Sequence, residues 1–110
     1  MIKKKKTAAS AKKSTTPAVI VRAYSGVFFG YLVAKDGTSV TLKGARQVWS
    51  WDSAGLPEPS RTCGDIATRG LGTGSKVSGP ADAIVDQVGA VFFCTPVAVR
   101  IIDAQKWATR

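Results

Sequence analysis

The chain contains no histidine, only two cysteines, and no apolar run approaching the roughly 20 residues that a membrane-spanning helix needs. Without histidine there is neither an imidazole base nor a Cys–His pair. A zinc site needs about four ligands at characteristic spacing, which are absent here, so Cys63 and Cys94 are predicted to be part-buried, reduced thiols. The carboxylates are single and dispersed. These absences predict a protein that is not an enzyme and that holds no metal or cofactor.

Acidic residues are also absent from residues 1–17, which hold six lysines: Lys3, Lys4, Lys5, Lys6, Lys12 and Lys13. The rest of the chain is nearly balanced, with ten Lys or Arg against seven Asp or Glu. Between Ile2 and Pro17 no apolar side chain is larger than alanine, so burial cannot offset the entropy lost on ordering. The sequence therefore predicts a disordered basic arm over 1–17 and a single domain over 18–110.

The start of the chain has the charge of a signal peptide but no apolar core segment to follow it. The apolar run at 18–21 is too short to serve as one. We therefore expect no membrane association, and a protein that remains in the cytoplasm where it is made.

Four short runs in the first half of the domain have the composition of β-strands. β-Branched and aromatic residues are enriched in them, and turn residues separate them. Asp36-Gly37 predicts a tight hairpin turn, and Gly44 permits a bend between the last two runs. We expect strands over 19–24, 27–35, 39–43 and 45–51. The fold class is then mostly β (α+β), a small antiparallel curled sheet, barrel- or sandwich-like.

Helix signals lie in the second half of the chain. Thr62 and Asp65 have the spacing of a capping box, which predicts one or two helical turns that end near Gly70. Residues 83–94 predict two short strands broken near 86–87, with a short helix over 81–88 as the alternative. Thr95 and Pro96 predict the start of an amphipathic C-terminal helix over 96–108, with positions 97, 101, 104 and 108 on one face.

Several pieces of the domain carry a resemblance to a known family. They are VRAYS at 21–25, GYL at 30–32, VTL at 40–42, AR at 45–46, VWSW at 48–51 and CTP at 94–96. Through them the chain resembles a family of small proteins of unknown function encoded mostly by bacteriophages and prophages. The resemblance covers nearly all of residues 19–108. It implies a phage origin and a place in the host bacterial cytoplasm or in the virion, and it implies no catalytic residues.

The segment GARQVWSW at 44–51 holds the most distinctive side chains of the domain. Alternation along a strand places Trp49 and Trp51 on one face and Arg46 on the other. If the tryptophan face is outward, the indoles can stack on bases of a single strand. If it is inward, they belong to the core, which we favour because tryptophan buries a large area. Trp51, at the strand end, is expected to be the more exposed of the two.

The glycine-rich loop GLGTGSKVSGP at 70–80 contains a fragment that suggests a phosphate-binding loop. Such a loop needs glycine directly before Lys-Ser/Thr, and a helix that begins at the lysine. Here Ser75 separates Gly74 from Lys76, and a Ser-Gly-Pro sequence follows. The pattern favours a flexible connector.

The basic arm is the strongest functional feature. Lysines on a flexible segment bind phosphates of DNA or RNA without sequence preference and with strong salt dependence. We expect a non-enzymatic phage accessory protein that contacts nucleic acid through the six lysines, with Arg46, Trp49 and Trp51 as the contribution of the domain. Two alternatives stay open. One is a virion component whose arm covers an acidic capsid surface, and the other is an inhibitor that binds a host protein. An oligomer is compatible with each of these.

Overall fold

In the computed structural model, which describes residues 16–106, the chain is mostly β, as the sequence predicts. The six lysines of the predicted arm lie outside the described residues. The elements in chain order are β1 (Ala18–Ala23), β2 (Gly26–Asp36), β3 (Ser39–Ser50), α1 (Cys63–Arg69), β4 (Lys76–Val77), β5 (Ala81–Val85), β6 (Val88–Phe93) and α2 (Pro96–Asp103).

All strands belong to one antiparallel sheet, in the order β4-β3-β2-β1-β6, with β5 paired to the same strand, β3, as β4. The prediction of a barrel was wrong, because the sheet does not close. β5 and β6 are consecutive in the chain, but β5 pairs with β3 while β6 pairs with β1. β5 and β6 therefore lie at opposite edges of the sheet, and no pairing between them joins the two edges.

β3 is one strand of 12 residues, where the sequence predicted two. Gly44 adopts a left-handed conformation, with φ of 61°, and the register with β2 and with β5 shifts around it. The strand therefore bends at Gly44 without ending, since a glycine bulge reorients a strand while it stays paired. The bend lets one half of β3 pair with β5 and the other half pair with β4.

The hydrophobic core lies on both faces of the sheet. On one face, which we call the helix face, Ile20 and Phe29 pack with Ile66 of α1 and Ile102 of α2. On the other, the inner face, a second cluster gathers around Val19, Val21, Val40 and Leu42. Three successive residues of β1, at 19–21, have no exposed surface because β1 lies between β2 and β6 and is covered on both sides. Each such aliphatic side chain contributes about 1.5–3 kcal/mol through burial.

The capping box predicted for α1 is confirmed. The Thr62 hydroxyl accepts from the Asp65 backbone N–H at 3.1 Å, and the Asp65 carboxylate accepts from the Thr62 N–H at 3.2 Å. These two bonds occupy backbone donors that the first turn of a helix leaves without partners. The helix ends at Arg69, before Gly70, as predicted.

The C-terminal helix begins as predicted, with the Thr95 hydroxyl accepting from the Ala98 N–H at 3.1 Å and with Pro96 in the first turn. It ends at Asp103, however, and residues 104–106 are not helical; residues 107–110 lie outside the described part. The predicted apolar face was also wrong, because Ala98 and Ile102 are the buried residues and Val97 is 49% exposed.

Candidate nucleic-acid interface

Arg46 lies inside the fold. Its side chain points to the helix face, the residue is 5% exposed, and its guanidinium donates to three backbone carbonyls. The bonds are Nε to Ser78 O at 2.9 Å, Nη1 to Ile102 O at 2.9 Å and Nη2 to Gln105 O at 2.6 Å. Burial lowers the pKa of this guanidinium, and the charge of Asp103 opposes that change. Arg46 therefore ties β3 to the end of α2, and its donors do not face a surface ligand.

Trp49 is on the surface, with 51% of its area exposed. It lies near the end of β3, opposite the side that buries Arg46 and Val48, as strand alternation predicts. Neighbouring Gln47 is also exposed, and its side-chain amide donates to Ser25 O in the β1–β2 turn at 3.5 Å. Of the three domain residues proposed to contact nucleic acid, Arg46, Trp49 and Trp51, only Trp49 is exposed.

Trp51 is half-buried against the helix-face core, so the expectation that it is the more exposed tryptophan was wrong. The pairing register between β3 and β4 shifts between Val48 and Ser50. This irregularity breaks the alternation, so Trp49 and Trp51 lie on different sides of the sheet. The structure does not bring the two indoles together with Arg46 into one site.

Trp51 instead forms part of a groove on the helix face, with a volume of about 490 Å³. We call it the arginine groove, and it is lined by Arg22, Val27, Trp51, Arg61, Thr62, Cys63, Gly64 and Phe92. β1 and β2 place the first two of these directly opposite each other in the sheet, since Arg22 pairs with Val27. One signal for this site is visible in the sequence, because Arg22 is the only charged residue in the strand AVIVRA.

The glycine-rich loop packs around Asp52, and the structure shows no phosphate-binding geometry in it. The Asp52 carboxylate accepts from Gly74 N–H at 3.2 Å, its carbonyl accepts from Gly72 N–H at 2.9 Å, and its N–H donates to the Ser75 hydroxyl at 3.1 Å. Leu71 is buried in this same segment. The segment predicted to be a flexible connector is thus partly core, and it contains β4.

Both cysteines are free thiols of intermediate burial. Burial raises the pKa of Cys94 to about 12, and the charge of Asp103 adds to this. Burial also raises the pKa of Cys63, against the charge of Arg22. Tyr31 has a pKa raised to about 12 by burial and by the hydrogen bond that its hydroxyl donates to Asp103 at 2.6 Å. None of these groups has the lowered pKa of an activated nucleophile.

These raised pKa values predict a loss of stability in alkali. Between about pH 9 and 12 the unfolded chain releases thiol and phenol protons that the folded chain retains, so the free energy of unfolding falls as pH rises. Tyr31→Phe is expected to flatten the fall above pH 10, and Tyr24→Phe, at a side chain 90% exposed, is the control. Urea unfolding curves at several pH values measure this, and equal slopes for both variants would contradict it.

Within the described residues no helix is long and apolar enough to cross a membrane. The same part of the chain holds no group of three or more acidic or cysteine side chains placed to bind a metal ion. Neither observation identifies a ligand. Charge and exposed aromatic side chains are the features that bear on a nucleic-acid interface.

One family matches this chain. It is described as a domain of unknown function, DUF6948, and its match covers residues 16–102. The match takes in the whole sheet and most of α2, and it begins after the last lysine of the basic segment. No curated protein and no solved structure matches the chain.

Proposed function

We propose that this chain, which belongs to the DUF6948 family, is a non-enzymatic accessory protein that binds nucleic acid without sequence preference. Its resemblance to phage and prophage proteins supports a role in a phage-infected or lysogenic bacterium, in the host cytoplasm. The six N-terminal lysines supply contacts to phosphate, and the folded domain adds an aromatic surface. Arg46, which lies inside the domain, is not part of the contact set.

Charge segregation is the observation on which this proposal rests. Of a net charge of +9, the six lysines before residue 14 contribute two thirds, and no acid accompanies them. They also precede residue 16, where the family match begins, so the basic segment lies outside that match. A lysine cluster of this kind releases counterions from a phosphate backbone, which gives affinity without base recognition.

Trp49 is the contribution of the domain on the exposed side of β3. An indole that is 51% exposed offers one ring face to a base, and each stacked base contributes about 1–3 kcal/mol. Its neighbours Gln47 and Ser50 are exposed as well. A flat π-surface binds any base, which fits binding without sequence preference.

Replacing all six lysines by glutamine is expected to abolish most of the salt dependence of binding. Six phosphate contacts contribute a slope of about 4 in a plot of log affinity against log salt for a single strand. Fluorescence anisotropy of a labelled oligonucleotide, measured with the full-length chain at rising salt, gives this slope. If the substituted chain binds with the slope of the original chain, the proposal is wrong.

The matched control removes charge from the domain in place of the arm. Lys35, Lys43 and Lys106 are exposed, and replacing these three by glutamine removes the same charge as replacing Lys4, Lys5 and Lys6. The arm variant is expected to lower the slope by about 2 and the domain variant by much less. If the two variants lower the salt slope equally, binding depends on net charge alone, and the proposed role of the arm is wrong.

A further inference from the structure

The arginine groove combines cations with aromatic rings on a side of the sheet that the proposed function does not use. We propose that it binds one nucleotide of a single-stranded nucleic acid, with the base against the Trp51 indole and the phosphate against the Arg22 and Arg61 guanidinium groups. This inference rests on the proposed function, because it assigns to the domain a specific subsite for the same ligand. It is independent of the lysines and of Trp49.

The size and walls of the groove suit a nucleotide. Its volume of about 490 Å³ lies within the 300–1,000 Å³ that is usual for small-molecule sites. Val27 and Phe92 supply apolar surface, and the half-buried Trp51 is held by the core so that its ring position is fixed. A ring fixed before binding loses little conformational entropy when a base stacks on it.

The charge of the groove fits a phosphate. Arg22 and Arg61 line it, no carboxylate does, and neither arginine forms an ion pair with another described residue. The two acids nearest to Arg61 in sequence both pair with Arg69, Glu58 at 3.0 Å and Asp65 at 3.2 Å. Asp65 also accepts from the backbone N–H groups of Arg61 and Thr62. Two guanidinium groups near an apolar wall therefore have no counterion within residues 16–106, and an anionic ligand supplies one.

The geometry favours a single strand over a duplex. A base can stack on Trp51 only if one of its faces is free, and bases inside a duplex are already stacked and paired on both sides. In a single strand the base can turn away from its neighbours at little cost, and stacking on an aromatic side chain is the usual mode of such binding. The groove opens to solvent, so the chain can enter and leave it.

The test uses the full-length chain and a labelled dodecamer of thymidine. Arg22→Gln and Arg61→Gln are each expected to weaken binding about five-fold and to lower the salt slope by about 0.7. Arg100→Gln is the matched control, since Arg100 is an exposed arginine on α2 outside the groove, and it is expected to change affinity by less than about two-fold. If both groove variants bind like the control, the inference is overturned.

A second measurement locates the contact directly. In a nitrogen-15 spectrum each tryptophan gives one indole N–H signal, which Trp→Phe variants assign. Adding the dodecamer is expected to shift the Trp51 signal, and an unchanged Trp51 signal at saturation would overturn the inference. Polyglutamate that binds as tightly as the dodecamer, with the same loss in Arg22→Gln, would assign the groove to acidic polypeptides and would also overturn it.

The two proposals fail separately. We call the chain with all six arm lysines replaced by glutamine the six-lysine variant. If it keeps the original affinity while Arg22→Gln weakens binding, the arm has no role and the groove inference holds. If the six-lysine variant loses affinity while Arg22→Gln and Arg61→Gln do not, the arm stands and the groove inference is rejected. Repeating the groove substitutions in the six-lysine background is expected to remove most of the binding that remains, since the groove is then the main phosphate contact.

Discussion

Gly72→Ala is expected to lower the free energy of unfolding by at least about 3 kcal/mol, enough to unfold much of a small domain. A Cβ built on Gly72 would lie 2.6 Å from the carbonyl oxygen of Asp52 and nearer still to the backbone nitrogen of Ala54. Both neighbours are backbone, and the Asp52 carbonyl is the acceptor of the Gly72 N–H itself, so relief requires the two loops to separate. Chemical denaturation followed by tryptophan fluorescence measures the loss.

Gly64→Ala is the control for the same chemical change. Gly64 lies in the first turn of α1, and an added Cβ there meets nothing closer than 3.7 Å, at the ring of Phe92. Because alanine favours the helical backbone over glycine, this variant is expected to match or exceed the original stability, by up to about 1 kcal/mol. If Gly72→Ala is within about 1 kcal/mol of Gly64→Ala, the close packing of the two loops is not essential to the fold.

The packing around Asp52 also shows where sequence reasoning is limited. The segment 70–80 has the composition of a flexible connector, and glycine content alone supports that interpretation. The glycines are needed because another backbone segment, 20 residues earlier at Asp52, approaches too closely for any side chain. Composition cannot distinguish a glycine that provides flexibility from one that permits close contact, since the distinction depends on a partner distant in sequence.

Features governed by local chemistry were predicted correctly. The Thr62–Asp65 capping box and the Thr95–Pro96 helix start depend on residues within one turn of each other, and both are confirmed. Two features that depend on pairing between strands distant in sequence were not predicted correctly. Whether β3 ends or bends at Gly44, and whether the sheet closes, depends on which strands pair with β3 and with β1. Nothing within a few residues of Gly44 specifies those partners.

The same distinction between local and distant features separates the parts of the candidate site that the sequence predicts from those that it does not. The lysines are apparent from composition because their proposed role needs only charge and an unfolded segment. The pairing of β1 with β2 and β6 places Arg22 and Phe92 in the arginine groove, and the connection between β3 and α1 adds Trp51 and Arg61. Alternation along β3 predicted that Trp49 and Trp51 share a face, and burial of that face was favoured. Trp49 is instead exposed and Trp51 half-buried, because the strand is irregular between Val48 and Ser50.

Arg46→Met is expected to destabilise the domain by about 3–5 kcal/mol, because it removes a buried cation from three carbonyl acceptors. Two of these acceptors, Ile102 O in the last turn of α2 and Gln105 O just beyond it, lie at the C-terminus of the helix, where a cation is favoured. Methionine keeps the aliphatic stem but removes the guanidinium donors from Ser78 O and Gln105 O, whereas Ile102 O keeps the bond from the Gln105 N–H at 3.0 Å. Denaturation curves measure the loss, and faster hydrogen exchange in α2 than in β1 would locate it.

Two further substitutions distinguish the effect of the shape of the guanidinium group from the effect of its positive charge. Arg46→Lys keeps the charge, but one ammonium group cannot reach Ser78 O and the end of α2 together, so it is expected to recover less than half of the loss. Arg69→Met removes an arginine with two surface ion pairs and one bond to Pro59 O, and is expected to cost about 1 kcal/mol. If Arg46→Met costs no more than Arg69→Met, the three carbonyls are satisfied without Arg46, and the attachment of α2 to β3 depends on apolar packing of Ala98 and Ile102 alone.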